Sequence, residues 1–277
     1  MFKVKSSIEK EWYKLQKQEI DFLVKNIKKE DSKLNQLLED KVPEGLQGTL
    51  NKVFYKSFKL IFEKGTDVIE LTYNRDKLEK DFLTSEFAAD LGENHKTLKA
   101  FSSKAKGSGT VNTLISGASG IGMGILGIGI PDIFIFTGMI LKNVYQIALN
   151  FGYEYDSEEE KKFILMLIKG AVSTGNELRT INDQVDKYID ELTTGKVASP
   201  TEQTEESDTE NEMEVCIKET AESLSQELLY MKFLQGIPFV GSIGGLYNAV
   251  YMQKISKYAE LKYRRRFYQK RMNEKLV

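Results

Sequence analysis

The chain of 277 residues has one cysteine, one histidine and four prolines. A single thiol, Cys216, rules out a disulfide within the chain and a thiolate zinc site, which fits a reducing compartment. His95 has no second histidine to share a metal with, so a surface position is expected. No G-x-x-x-x-G-K-[ST] sequence is present, so the chain offers no phosphate loop for ATP hydrolysis. Charge of one sign is also missing in bulk: 39 Lys and Arg stand against 41 Asp and Glu. A general nucleic-acid binder needs a basic field to release counterions, and this chain has none overall. The first residues, MFKVKSSIEKEWYKLQ, lack the apolar core and cleavage site of a secretory signal, and a cytoplasmic location is expected.

What is present is helix-forming sequence. Between residues 8 and 29, Trp12, Leu15, Glu19, Phe22, Leu23 and Ile27 recur at helical spacing with lysines on the other faces. Val42-Pro43-Glu44-Gly45 predicts a turn, followed by a helix carrying Leu46, Leu50, Val53, Phe54, Phe58 and Ile61 that stops at Gly65. Residues 68–106 predict two helices with a break near Gly92. Further on, Ser157 with Glu160 three positions later is a capping-box pattern. It opens a helix predicted to run to Gly195 through a soft spot at Gly170 to Gly175.

Two stretches are almost free of charge. Residues 111–141 contain only Asp132, and residues 233–252 contain none. Each carries Gly-Ile-Pro and a glycine nine positions after its first: Gly129 and Pro131 with Gly138, and Gly236 and Pro238 with Gly245. Proline removes a backbone donor and disfavours helix just before itself, so each stretch is expected to be a helical hairpin broken at its Gly-Ile-Pro. Gly120 and Gly124, like Gly241 and Gly245, are four apart and present flat faces for close helix packing. The expected hinge and packing residues are therefore Gly120, Gly124, Gly129, Pro131, Asp132, Gly236, Pro238, Gly241 and Gly245. Gly122 to Gly127 also spells G-x-G-x-x-G, but no βαβ pattern surrounds it and no acid follows at the required distance, which excludes a dinucleotide site.

Residues 111–130 would make a helix of about 30 Å, enough to cross a hydrocarbon core. Six glycines and four Asn, Thr or Ser weaken that insertion, and Asp132 adds about 2.5 to 3.5 kcal/mol at the bilayer centre. A re-entrant or interfacial hairpin fits better than a full crossing. The chain then ends on a basic helix: residues 251–277 hold nine cations and two carboxylates. Tyr263, Arg264, Arg265, Arg266, Lys270 and Arg271 are expected to meet an anionic membrane surface or a protein partner. Two other readings of that run stay open, a solvated helix end beside a core stripe and a contact with RNA or DNA; no nucleic-acid partner is expected.

Residues 201–214 carry seven carboxylates and no Lys or Arg. This composition predicts a disordered linker over 196–214. The resulting organisation is a charged helical region over 1–110, the first hairpin and its following helix over 111–195, the linker, and the second hairpin with the basic helix over 215–277. Residues 111–277 are expected to form one domain with 1–110 packed on it.

The run GASGIGMGILGIGIPDIFIFTGMILKNVYQIALNFGYEY, with the later GIPFVGSIGGLYNAVYMQKISKYAELKYRRRFYQKR, resembles the EcsC family of bacterial proteins. The resemblance covers about residues 85–272, and the charged N-terminal half and the acidic stretch depart from it. It implies a hydrophobic, membrane-associated protein named from a gene beside an ABC transporter, with no reaction and no catalytic residues to carry over. The expectation is thus an all-α helical bundle with two central glycine-rich hairpins, no cofactor or metal, and no enzymatic activity. It would be an accessory or regulatory protein at the inner face of the cell membrane, peripheral or partly inserted. The alternative is a soluble helical protein holding a lipid or apolar ligand in its core. The sequence does not reveal an oligomeric state.

Overall fold

The computed structural model describes residues 6–27, 45–64, 69, 74–91, 96, 98, 99, 131–195, 206–234 and 245–274. These form an all-helical protein, with no strand among the described residues. The helices are α1 (Ser7–Ile27), α2 (Leu46–Lys64), α3 (Arg75–Leu91), α4 (Pro131–Asn150), α5 (Glu158–Val172), α6 (Gly175–Thr194), α7 (Glu206–Leu234) and α8 (Gly245–Glu274).

Local chemistry sets most of these boundaries. At the start of α1, Ser6 and Glu9 cap each other: the Ser6 amide donates to Glu9 Oε2 at 2.6 Å, and the Glu9 amide donates to Ser6 Oγ at 3.3 Å. Gly45, at φ 80°, makes the left-handed turn into α2. Asn74 Oδ1 accepts from the Lys77 amide and opens α3. Pro131 is the first residue of α4, where its missing amide hydrogen costs no helix bond. Ser157 caps α5 as its pattern predicts, and Gly195 closes α6 in the left-handed conformation.

Two expectations about helix continuity are corrected. The soft spot near Gly170 is a true break: α5 ends at Val172, Ser173 caps it in an extended conformation, and α6 starts afresh at Gly175. The acidic stretch is not an unstructured linker throughout, because α7 already runs from Glu206. Two of its carboxylates, and Glu219 further along α7, pair with cations from distant sequence. Glu212 pairs with Lys162 at 2.8 Å, Glu219 with Lys169 at 2.8 Å, and Glu214 with Lys59 at 3.0 Å while accepting from Tyr55. Hydrogen bonds from Lys59 and Tyr55 hold the Glu214 carboxyl below its ordinary pKa.

The thirty-residue α8, about 45 Å long, is the element on which others are arranged. Contacts along it fix the directions of its neighbours. Phe136 meets Tyr251, Asn143 accepts from Ser256 at 3.0 Å, and Phe151 meets Phe267, so α4 runs parallel to α8. Asn182 accepts from Tyr258 and Asp190 from Gln269, so α6 is also parallel. Glu160 lies beside Arg266 and Gly170 beside Tyr258, which makes α5 antiparallel. Phe22 stacks on Tyr258 while Trp12 lies beside Arg265, so α1 is antiparallel as well. One continuous apolar core takes residues from every helix, from Ile8 and Leu15 to Phe267 and Tyr268.

Candidate functional site

The predicted hinge residues divide into two groups. Gly120, Gly124, Gly129, Gly236, Pro238 and Gly241 lie outside the described residues. Pro131 and Asp132 are the first two residues of α4, and Gly245 is the first of α8. Because α4 and α8 run parallel and side by side, these two starting points stand at the same end of the bundle. The uncharged sequences 111–130 and 233–244 are therefore joined to the fold at neighbouring points.

The basic residues at the other end of α8 are not where the sequence reading put them. Of the six expected to face a membrane or partner, only Lys270 is exposed; Tyr263, Arg264 and Arg271 are buried and Arg265 and Arg266 half-buried. The expectation of an outward basic surface is corrected for this reason: all but Lys270 are on the inner side of α8, and other helices supply carboxylates to Arg265, Arg266 and Arg271. A buried cation without such partners would cost several kcal/mol, so the arginine run makes sense only as a set of pairs.

Three clusters satisfy it. In the first, Lys262, with 1% of its side chain exposed, reaches Asp186 of α6 at 2.6 Å and Glu19 of α1 at 3.4 Å. Arg265 donates to Glu19 at 2.7 Å, has its Nε 3.4 Å from Asp186, and lies over the Trp12 ring. Tyr258 donates to Asn182 at 3.1 Å beside this group. Burial, then the charges of Asp186 and Glu19, push its hydroxyl well above the ordinary tyrosine pKa.

In the second cluster, Glu160 of α5 accepts from Tyr263 at 2.7 Å and from Arg266 at 2.6 Å. The guanidinium lies 4.0 Å from the Tyr153 ring centroid and 5.5 Å from that of Phe163. Burial works against the charge on Arg266, but Glu160 together with Tyr153 and Tyr263 more than offsets it and its pKa is raised. Tyr263 is pushed well above its ordinary value by burial and by the neighbouring Glu160 charge. In the third, Arg271 pairs with Asp90 of α3 at 2.6 Å, and Arg264 bonds Gln18 of α1 and lies 3.4 Å from Glu260. Together the clusters tie α1, α3, α5 and α6 to one helix.

Glu19, Glu160 and Asp186 are the functional side chains that sequence reasoning missed. The signal for Glu19 was present, since it falls within the apolar stripe of α1 and a carboxylate there requires a buried cation. Glu160 was assigned to a capping box, in which it would reach back to the Ser157 amide; instead it turns into the core and only the Ser157 half of the box forms. Chemically, each of these carboxylates is matched with cations, an arrangement that clamps helices. Among the described residues, no group of three or more His, Cys, Asp or Glu is placed to hold a metal.

A sequence model of the EcsC protein family matches residues 6–267. The chain belongs to the EcsC family. The match begins at the cap of α1 and extends through most of α8, so the matched span takes in the N-terminal helices and the acidic stretch that the sequence reading set apart. All three ionic clusters fall almost wholly inside the matched region, with only Arg271 beyond it. No curated protein and no solved structure matches this EcsC protein.

Proposed function

We propose that this EcsC protein is a non-enzymatic accessory or regulatory protein held at the inner face of the cell membrane, serving a transporter or another envelope process. The observation that supports it is the shared end of α4 and α8. Two uncharged sequences, 111–130 and 233–244, join the fold there side by side, while the arginines of α8 lie against carboxylates in the other half of the bundle. Uncharged sequence that enters the described fold at one end suits attachment by partial insertion. Electrostatic attachment through α8 lacks an exposed basic surface to work with.

The test is fractionation of cells followed by washing of the membranes. Retention through both high salt and carbonate is expected. Recovery wholly in the soluble fraction would sink the proposal, and release by salt alone would restore an electrostatic anchor.

A second reading, a soluble helical protein that holds a lipid or apolar ligand in its core, draws on α4. Its segment Ile133–Asn150 is the one described helix apolar and long enough to cross a membrane, and 83% of that segment is buried inside the protein. Soluble recovery together with a lipid in the mass spectrum of the native protein would favour this reading.

A further inference from the structure

The helix α1 has two apolar faces, and the described residues cover one. Ile8, Leu15 and Phe22, spaced by seven, and Trp12, Glu19 and Asn26, also spaced by seven, turn toward α8 and α6. The opposite side carries Lys10, Tyr13, Lys17, Ile20, Val24 and Ile27, separated by three, four, three, four and three residues. Tyr13 is 63% exposed, Ile20 58% and Val24 45%, three of the six most exposed large apolar side chains described. Lys10 and Lys17 are exposed between them.

We propose that this outer face of α1 is a docking seam for an amphipathic helix of another protein, one with apolar residues at heptad spacing and carboxylates opposite Lys10 and Lys17. The spacing argues for a helix. An alternation of three and four keeps a narrow line of side chains facing one partner helix over successive turns, whereas a lipid surface is met by a broad apolar face.

Charge then selects the kind of helix. In a parallel pairing of two copies of α1, Lys10 and Lys17 would each face their own counterpart. In an antiparallel pairing that sets Tyr13 against Val24, they would face Ile27 and Ile20. Neither arrangement places a carboxylate at a position directly facing a lysine, and the one acid beside the seam near Lys17, Asp21, only flanks it, so a second copy is the poorer partner. On α1 itself, Glu9 is engaged with the Ser6 amide, Glu11 with Lys14 at 2.7 Å and Glu19 with Arg265, and among the described residues no ion pair joins Asp21 or another carboxylate to Lys10 or Lys17, so the seam lysines are open to carboxylates from outside. A polar residue at such a core position fixes register and partner choice at some cost in stability.

Position supports the same conclusion. Phe22 stacks on Tyr258 and Trp12 lies beside Arg265, so the seam runs alongside the charged half of α8 and away from the end where the uncharged sequences join. A protein neighbour could engage it whether or not that end is attached to a bilayer, and the inference does not depend on the membrane reading.

The experiment uses the full chain and a labelled synthetic three-heptad helical peptide. The peptide has leucine at its seam positions except for glutamate at the two that face Lys10 and Lys17. Saturable binding by fluorescence anisotropy is expected, weakened about tenfold or more in the double variant Ile20→Ser, Val24→Ser. These side chains are exposed, so the variant should keep the parent melting temperature. Lys17→Glu should weaken binding to a similar degree and regain it with a peptide bearing lysine at the facing position. The proposal is overturned if a scrambled peptide binds as well, or if the Ile20 and Val24 variant binds unchanged. It is equally overturned if that variant loses only binding to phosphatidylglycerol vesicles, which assigns the face to lipid, or only self-association in sedimentation, which assigns it to a second copy.

Discussion

Tyr263 and Glu160 share a buried hydrogen bond of 2.7 Å across 103 residues of sequence, and Arg266 bonds the other oxygen of the same carboxylate. Removing the carboxylate leaves a half-buried guanidinium and a buried hydroxyl without their acceptor. Breaking one side of such a pair costs about 3 to 5 kcal/mol. Glu160→Ala is expected to lower stability by that order in urea unfolding. Arg266→Met keeps apolar bulk against Tyr153 and Phe163 but leaves the buried Glu160 carboxylate without its cation, so it should cost a similar amount. The double variant Glu160→Ala, Arg266→Met should cost clearly less than the two single losses added together; strict additivity would mean that the ion pair itself contributes little.

Glu19 tests the same logic where a second carboxylate remains. Glu19→Ala still leaves Lys262 and Arg265 with Asp186, so the loss should be smaller, about 1.5 to 3 kcal/mol, the range for hydrogen bonds to charged groups. The effect should be local. Amide exchange in α1 is expected to accelerate far more than in α5 or α6, because Glu19 is what α1 contributes to the cluster.

The buried tyrosines predict an alkaline limit. Burial, with nearby carboxylates, raises the folded-state pKa of Tyr258 and Tyr263 above the ordinary value near 10. The unfolded chain therefore ionises first. Stability from these groups is complete below about pH 10 and is lost as the pH climbs toward the folded-state values. Tyrosinate absorbance of these two should appear together with unfolding, and Tyr258→Phe, Tyr263→Phe should flatten the decline. Ionisation of both in a protein that keeps its helical signal would contradict this.

How far the sequence was legible depends on whether each signal was local. Ser157 and Gly195 mark helix ends through neighbours within four residues, and both act where the pattern places them; Ser6 caps α1 in the same local way without having been singled out. The acidic stretch was misread because composition near Glu206 to Glu214 has no cation in reach. Lys162 is 50 positions from Glu212, and Lys59 is 155 from Glu214. The arginine run failed for the same reason, since Glu19 is 246 positions from Arg265. A run of like charge reads as solvated until the fold brings carboxylates to it. The Gly-Ile-Pro segments lie outside the described residues apart from Pro131, and what the fold adds is that α4 and α8, the helices that follow them, start side by side.

Two glycines in left-handed turns separate backbone strain from packing. Gly152, at φ 75°, links α4 to the segment before α5, and the Phe82 ring lies where a β-carbon would project, its nearest atom 2.2 Å away. Gly195, at φ 66°, has nothing within 4 Å of that position. Alanine at either site meets the left-handed penalty of about 1 to 2 kcal/mol. Only at Gly152 must an aromatic ring also move, and overpacking of this kind adds about 1 to 3 kcal/mol. Gly152→Ala should therefore destabilise clearly more than Gly195→Ala in the same thermal or urea series. Adding Phe82→Leu to the Gly152 variant should recover part of the excess, since a smaller side chain vacates the space, and it should do nothing for the Gly195 variant. A Gly152 loss no larger than that at Gly195 would show that the ring gives way freely.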